Sequence, residues 1–222
     1  MIRKRNEKWL RMLLCRFEEA RDSFIAGFAE QHLRTKSILE VGCGGGDRTR
    51  LFYAGSCQVV GIDISRVEKA PERFQFLLAD ATRLPFKEES FEAIVSFDVI
   101  EHVLDDKRFV SESFRVCKTG GLLILGTPNR ERLSNRLRSM LGKRISYPYL
   151  IGPSTIHVRE YTMDECVVLI QECGWIFSYG WRSWVGLVGR LDKGLAKIPT
   201  FLQPLSQYLL VIGFKPLNKQ KH

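Results

Sequence analysis

The 222 residues carry 45% hydrophobic side chains, enough for a sizeable core, and a net charge of +9 from 34 Lys plus Arg against 25 Asp plus Glu. The longest apolar runs, such as YLLVI at 208–212, fall far short of the ~20 residues that cross a bilayer. The basic start, MIRKRNEKWLRMLLCRFEEA, holds Glu7, Glu18 and Glu19 and has no small-residue cleavage site, so it does not read as a signal peptide. Six cysteines, at 15, 43, 57, 117, 166 and 173, form neither C-x-x-C nor a zinc-ligand spacing. They predict buried free thiols in a reducing, cytoplasmic compartment. A basic balance suits an anionic partner, but the excess at the N-terminus and at 129–144 lacks the interleaved aromatics that stack bases, which disfavours nucleic acid.

Residues 6–32 have helical spacing, with Trp9, Leu13, Phe17, Phe24 and Phe28 recurring mostly every four residues. Strand-like and helix-like segments then alternate. SILEV precedes the helical GDRTRLFYA; QVVGID precedes SRVEKA, where Ser65 and Glu68 make a capping box. RFQFLLAD is the third strand candidate. FEAIVSF is the fourth, leading to the helical DDKRFVSESFRVC, and GGLLILGT is the fifth. These apolar runs are continuous rather than alternating, as in strands buried on both faces of a parallel sheet. Residues 129–160 break the pattern and read as an insertion. A helix follows in TMDECVVLIQECG, capped by Thr162 and Glu165 and stopped at Gly174. WIFSYGW and, after an apolar-basic stretch at 182–207, YLLVIGFKP complete seven strands. The pattern predicts an α/β, Rossmann-like doubly wound fold.

The first strand ends in Gly42-Cys43-Gly44-Gly45-Gly46 and passes into a helix. Such a loop lets a ligand approach backbone amides at a helix N-terminus, in the crevice at the carboxyl ends of the strands. The spacing Glu40-x-Gly42-x-Gly44-x-Gly46 is not G-x-G-x-x-G, because Asp47 stands at the sixth position, and no P-loop lysine follows. Glu40, just before the loop, would repel a pyrophosphate and suits a ligand with a positive charge. Asp63, about twenty residues on, can accept from both ribose hydroxyls.

From about Lys36 to Gly126, and again from His157 to Gly174, the sequence resembles the class I S-adenosylmethionine-dependent methyltransferases, in particular the small-molecule group that includes the ubiquinone-biosynthesis-type O-methyltransferases. LEVGCGGG, VVGIDIS, LLADATRLPF, FEAIVSFDVIEHVLD and GGLLILGTPN are similar to that group's five motifs in order, and HVREYTMDECVVLIQECGW to its late helix-and-turn segment. The resemblance implies a seven-stranded, mostly parallel sheet with an antiparallel last strand. It also implies one domain over 1–222, in which the helical segment 1–35 and the insertion 129–160 cover the acceptor. S-adenosylmethionine is the implied cofactor. Gly42, Cys43, Gly44 and Gly46 would meet its methionyl part, with Glu40 orienting the loop; Asp63 would hold the ribose, Asp80 and Ala81 the adenine, and Ile64 and Phe97 would wall it.

The implied reaction is methyl transfer to a small-molecule or lipid-like acceptor, most simply at oxygen. His102, after the fourth strand, is the candidate base, since imidazole titrates near neutrality. In some ubiquinone-type relatives the trio matching Asp98, Glu101 and His102 is linked to a divalent metal; Asp98 is shorter than the glutamate typical there, and no metal is expected. His157 is a second candidate, with anchoring of the insertion as its expected role. The segment 182–207 is consistent with an apolar acceptor or a peripheral membrane contact. A non-catalytic domain that binds the cofactor or a partner remains an alternative, and a nicotinamide-dependent reductase a weaker one.

Overall fold

The computed structural model describes residues 14–15, 17–34, 36–46, 51, 58–65, 75–143, 145–150, 156–183, 185–187, 193–195 and 200–217. The N-terminal residues 6–13, the helical stretch expected directly after the glycine loop and Glu68 of the expected capping box lie outside these.

β1 (Leu14–Cys15) is followed by α1 (Phe17–His32). The sheet strands are β2 (Ser37–Val41), β3 (Gln58–Asp63), β4 (Gln75–Leu78), β5 (Phe91–Phe97), β6 (Cys117–Pro128), β9 (Ile176–Ser183) and β12 (Tyr208–Phe214). Their order is β4-β3-β2-β5-β6-β12-β9, with β12 antiparallel to both neighbours and the β4-to-β6 pairs parallel. The seven strands and the antiparallel last one match the expectation. The chain runs outward from β2 to β4 and then returns to β5, so the switch in strand order lies between β2 and β5, where a doubly wound sheet leaves a crevice.

Side chains of β2, β5, β6 and β12 are buried on both faces, as their continuous apolar runs require. One face packs Leu39, Ile94, Leu123 and Val211 against Phe109 of α2 (Asp106–Val116) and Ile170 of α4 (Met163–Glu172). The other packs Ile38, Ala93, Val95 and Phe97 against Ile25 and Ala29 of α1. β4 is an edge strand, which leaves Leu77 and Leu78 exposed.

Local chemistry fixes the helix ends near the site. Asp105 caps α2 by accepting from the Arg108 amide at 3.0 Å. Thr162 and Glu165 make the expected capping box at α4, and Gly174 leaves the helix at φ +96.

One segment departs from the sequence expectation, and two others hold elements that the expectation did not specify. Leu14–Cys15, expected within a helix, form a strand that pairs with β11 (Lys193–Leu195), which pairs in turn with β10 (Val185–Leu187). The insertion contains α3 (Leu133–Met140) and a hairpin of β7 (Tyr149–Leu150) and β8 (Ile156–His157). The stretch before β12 holds β10, β11 and a 3₁₀ turn at Thr200–Leu205. Among the described residues, no helix is long and apolar enough to cross a membrane.

Candidate functional site

A cavity of about 540 Å³ opens where β2, β3 and β5 end. The glycine loop meets it at Gly42. The Gly42 and Cys43 amides donate to the Ile62 carbonyl at 2.8 and 3.0 Å, and the Gly46 amide to the Cys43 carbonyl at 2.9 Å, which curls the chain back on itself. Gly42 sits at φ +75, and a Cβ there would lie 2.1 Å from Cγ2 of Val99. Part of the glycine requirement is therefore internal packing against the segment after β5. Gly44, at φ +50, faces open space, so its backbone conformation is what asks for glycine.

Asp63 locks the loop to the end of β3. Its Oδ2 accepts from the Gly44 amide at 2.9 Å and its Oδ1 from the Ser65 amide at 2.8 Å. Each oxygen keeps a further lone pair for a ligand hydroxyl. Asp80, after β4, accepts from the Thr82 amide and hydroxyl at 2.8 and 2.9 Å, which holds its carboxylate at the rim.

The electrostatics of the cavity run against those of the chain. Asp63, Asp80, Asp98 and Asp105 line it, and no Lys or Arg stands among its described lining residues, in a protein of net charge +9. The Cys43 thiol reports the local field: burial first, then the charges of Glu40 and Asp63, push it up to about 12. Two apolar side chains stand on the rim with little packed against them, Ile64 at 76% and Leu104 at 79% exposure.

The sequence-derived residues divide accordingly. Gly42, Asp63, Ile64, Asp80, Ala81 and His102 line the cavity. Glu40 and Cys43 are buried beneath the loop, and Gly44 and Gly46 belong to the loop without lining the cavity. Phe97 does not wall the cavity: it belongs to the α1 face, with Ala93 and Val95, and packs beside Phe24 and Phe28. Asp98 and Val99 line the cavity in its place.

Asp98 adopts φ +56, a conformation rare for a residue with a side chain, and its Oδ2 lies 3.3 Å from Nη1 of Arg21 in α1. Arg21 is itself buried and also contacts Asp22 at 3.1 Å. Sequence reasoning missed this pair because 77 positions separate its members.

His102 closes the 3₁₀ turn Ile100–His102, and its Nδ1 lies 2.7 Å from the Ile156 carbonyl oxygen. That carbonyl can only accept, so Nδ1 carries the proton and Nε2 the lone pair of the neutral ring. The His102 ring stands 4.8 Å from that of His157, at a steep angle. Glu101 is fully buried; it accepts from Thr127 Oγ1 at 2.9 Å, and its Oε1 lies 3.9 Å from Nε2 of His157. Burial first, and then the charge of Asp98, push the Glu101 carboxyl up to about 8. Glu160 is the hub of the insertion. Arg132, Tyr147 and Tyr149 all donate to it, and His157 Nδ1 lies 3.1 Å away. Burial alone would raise its carboxyl, but His157, Arg132 and Tyr149 outweigh that and hold it at about 2. His157 thus anchors the insertion to the end of β5. The trio Asp98, Glu101 and His102 does not assemble: Asp98 turns to Arg21, and the ligand atoms of Glu101, His102 and His157 come within 4.8 Å of one another instead.

Residues 39–125 match the family model described as "Methyltransferase domain". In sequence this stretch is similar to S-adenosylmethionine-dependent methyltransferases. A probable S-adenosylmethionine-dependent methyltransferase of Mycobacterium tuberculosis is 30% identical to it over 146 residues, 64% of this chain and 49% of that protein. A ubiquinone biosynthesis O-methyltransferase of Ruegeria is 26% identical over 167 residues, 68% of this chain and 67% of that protein. The chain spans about half the length of the mycobacterial relatives it matches. The structure of a Burkholderia thailandensis 1,6-didemethyltoxoflavin-N1-methyltransferase, bound to S-adenosylhomocysteine, shares the methyltransferase fold at a TM-score of 0.61 and 17% identity, over 90% of this chain and 84% of that one. So does the [4+2]-cyclase SpnF, at a TM-score of 0.65 and 17% identity, over 92% and 84%.

Proposed function

We propose that the protein binds S-adenosylmethionine in this cavity and transfers its methyl group to the oxygen of a small, apolar or lipid-like acceptor. The carrying observation is the acidic cavity: four aspartates and no Lys or Arg stand among its described lining residues, in a strongly basic chain. A dinucleotide pyrophosphate would meet repulsion there, whereas a ligand with an ammonium and a sulfonium would be attracted. When bound, the cofactor supplies an electrophilic methyl on a cationic sulfur.

The chain's own residues then have the following roles. Asp63 accepts from the ribose hydroxyls while its backbone partners keep it oriented. Asp80 and the Ala81 amide meet the adenine edge, and Ile64 covers its face. The loop amides and carbonyls around Gly42 and Gly44 meet the methionyl end, with Glu40 and Cys43 buried behind. His102 takes the proton of the acceptor hydroxyl on Nε2, the nitrogen left free by the bond to Ile156. α1, through Arg21, and the insertion 129–160, through Glu160, cover the acceptor side. A cytoplasmic setting belongs to this reading, supported by the described cysteines 43, 117, 166 and 173, all free thiols.

Calorimetry with S-adenosylhomocysteine and with NADH tests the binding step. Binding of the first and none of the second is expected; the reverse would overturn the proposal. Methyl-labelled cofactor, incubated with extracts of small molecules and lipid precursors, tests the transfer.

A further inference from the structure

Strand β8 (Ile156–His157) is seated against the 3₁₀ turn Ile100–His102 by two contacts. The Ile156 carbonyl oxygen lies 2.7 Å from Nδ1 of His102, and the Val158 amide donates to the Glu101 carbonyl at 2.8 Å. The first contact decides which nitrogen of His102 is left without a proton. Among the described residues, it is the one hydrogen bond that the His102 ring makes. The carbonyl must therefore be held in place for the ring to be held. The β7–β8 hairpin is too short to do this through its own ladder: Tyr149 faces His157 and Leu150 faces Ile156, two residues on each strand. Leu150 and Ile156 are exposed, at 67% and 46%. Tyr149 and His157 instead turn to one buried carboxylate. Oε1 of Glu160 accepts from the Tyr149 hydroxyl and lies 3.1 Å from Nδ1 of His157. Its Oε2 accepts from Arg132, from the Tyr147 hydroxyl at 2.8 Å and from Nδ2 of Asn135 at 3.3 Å. Glu160 thus gathers both strands of the hairpin, the chain before it and the start of α3.

We propose that Glu160 is a positioning residue for His102: it seats the β7–β8 hairpin so that the Ile156 carbonyl keeps the proton on Nδ1 and leaves Nε2 as the lone pair. The inference rests on the reading of His102 as the base. Glu160 acts through the hairpin, with His157 and Ile156 as the last links. The base and the insertion are therefore organised together. A ring that loses its orienting acceptor is free to turn and to exchange tautomers through solvent. A catalytic imidazole fixed in the wrong tautomer loses about 10⁴ in rate, so release of the ring, a milder fault, should cost about tenfold or more.

The test reads the ring itself, in the full chain labelled with ¹⁵N and free of cofactor and acceptor. The His102 nitrogens are assigned in the NMR spectrum by their loss in His102→Gln. The parent should show the Nδ1–H form as dominant. Glu160→Gln, which keeps the shape and drops the charge, should shift the population toward Nε2–H, and so should the milder Tyr149→Phe. Glu131→Gln, which breaks only the surface pair with Arg136 in the same insertion, should not. In the labelled-cofactor assay on extracts, Glu160→Gln should lower turnover about tenfold or more with S-adenosylhomocysteine affinity unchanged, and Glu160→Asp should recover part of the loss. Tyr149→Phe decides the matter if Glu160→Gln does not fold. A parent dominated by Nε2–H, parental tautomer populations in the folded variants, or an equal shift in Glu131→Gln would each overturn the inference. That failure is distinct from failure of the base reading, which would show as parental turnover in His102→Ala.

Discussion

The Asp63 carboxylate does two jobs in one place. It ties the Gly44 amide to the end of β3, and it lines the cavity, where the proposal gives it the ribose. Asp63→Ala is expected to weaken S-adenosylhomocysteine binding by about 1–3 kcal/mol, the scale for leaving polar partners unpaired, while the fold persists. Isothermal titration of the two proteins checks this, and parental affinity in the variant would refute the ribose role. Gly42 makes a different prediction, because its constraint is internal. A Cβ there would overlap Val99 and must also take φ +75. Gly42→Ala should cost about 2–4 kcal/mol, and adding Val99→Ala should recover the steric part, about 1–3 kcal/mol, leaving the backbone strain. A double-mutant cycle in urea measures that coupling directly. For His102, replacement by Ala should lower turnover about 10²–10⁴-fold with cofactor affinity nearly unchanged. Turnover retained across pH 6–9 would make the residue structural.

Among the elements, α2 matters most for the rim of the cavity. Its residue Glu112 accepts from the Leu84 amide at 2.9 Å and from Arg115, whose guanidinium also donates to the carbonyls of Leu84 and Phe86 at 2.9 and 2.8 Å. The pair clamps the loop that follows Asp80 and Ala81. The hydrogen bond from Arg115 is the main reason that the Glu112 carboxyl sits below the ordinary glutamate value. A lowered carboxyl adds stability above its unfolded pKa of about 4.3 and loses it as the pH falls through the folded value. Glu112→Gln should therefore destabilise at pH 7, by about 1–3 kcal/mol for a part-buried charged partner, and the gap to the parent should close below pH 4. Denaturant melts at both pH values show the sign. At α4, Thr162→Ala removes the cap shared with Glu165 and should cost about 1 kcal/mol.

Over the whole molecule, charge is divided by place. The chain is strongly basic, yet the crevice at the strand ends is lined by aspartates. A cationic ligand would thus meet negative charge at the strand ends of a chain whose net charge is positive. Two elements reach the segment after β5 from opposite directions in sequence. α1 sends Arg21 to Asp98 and stacks Phe24 on Trp181 with ring centroids 3.8 Å apart, while the insertion closes through Glu160 and His157.

Much of this was legible in the residues alone. Continuous apolar runs mark strands covered on both faces, and glycines at 42, 44 and 46 mark a loop whose backbone takes positive φ. Acids at the ends of strands mark the crevice, and Thr162 with Glu165 marks a helix start. All of these are local signals, set by period, propensity and turn chemistry within a few residues. Tertiary structure decided the rest, because it depends on which distant segments become neighbours. The side on which Phe97 packs follows from strand parity: it shares the α1 face with Ala93 and Val95, and only the next residue, Asp98, reaches the cavity. Leu14–Cys15 pair with Lys193–Leu195 across nearly the whole chain, so at these two residues a strand pairing stands where local spacing suggested helix, and the described helix begins at Phe17. The contact of Arg21 with Asp98 and the meeting of Glu101 and His102 with His157 likewise join positions that only the packing of α1 and of the insertion against the sheet brings together.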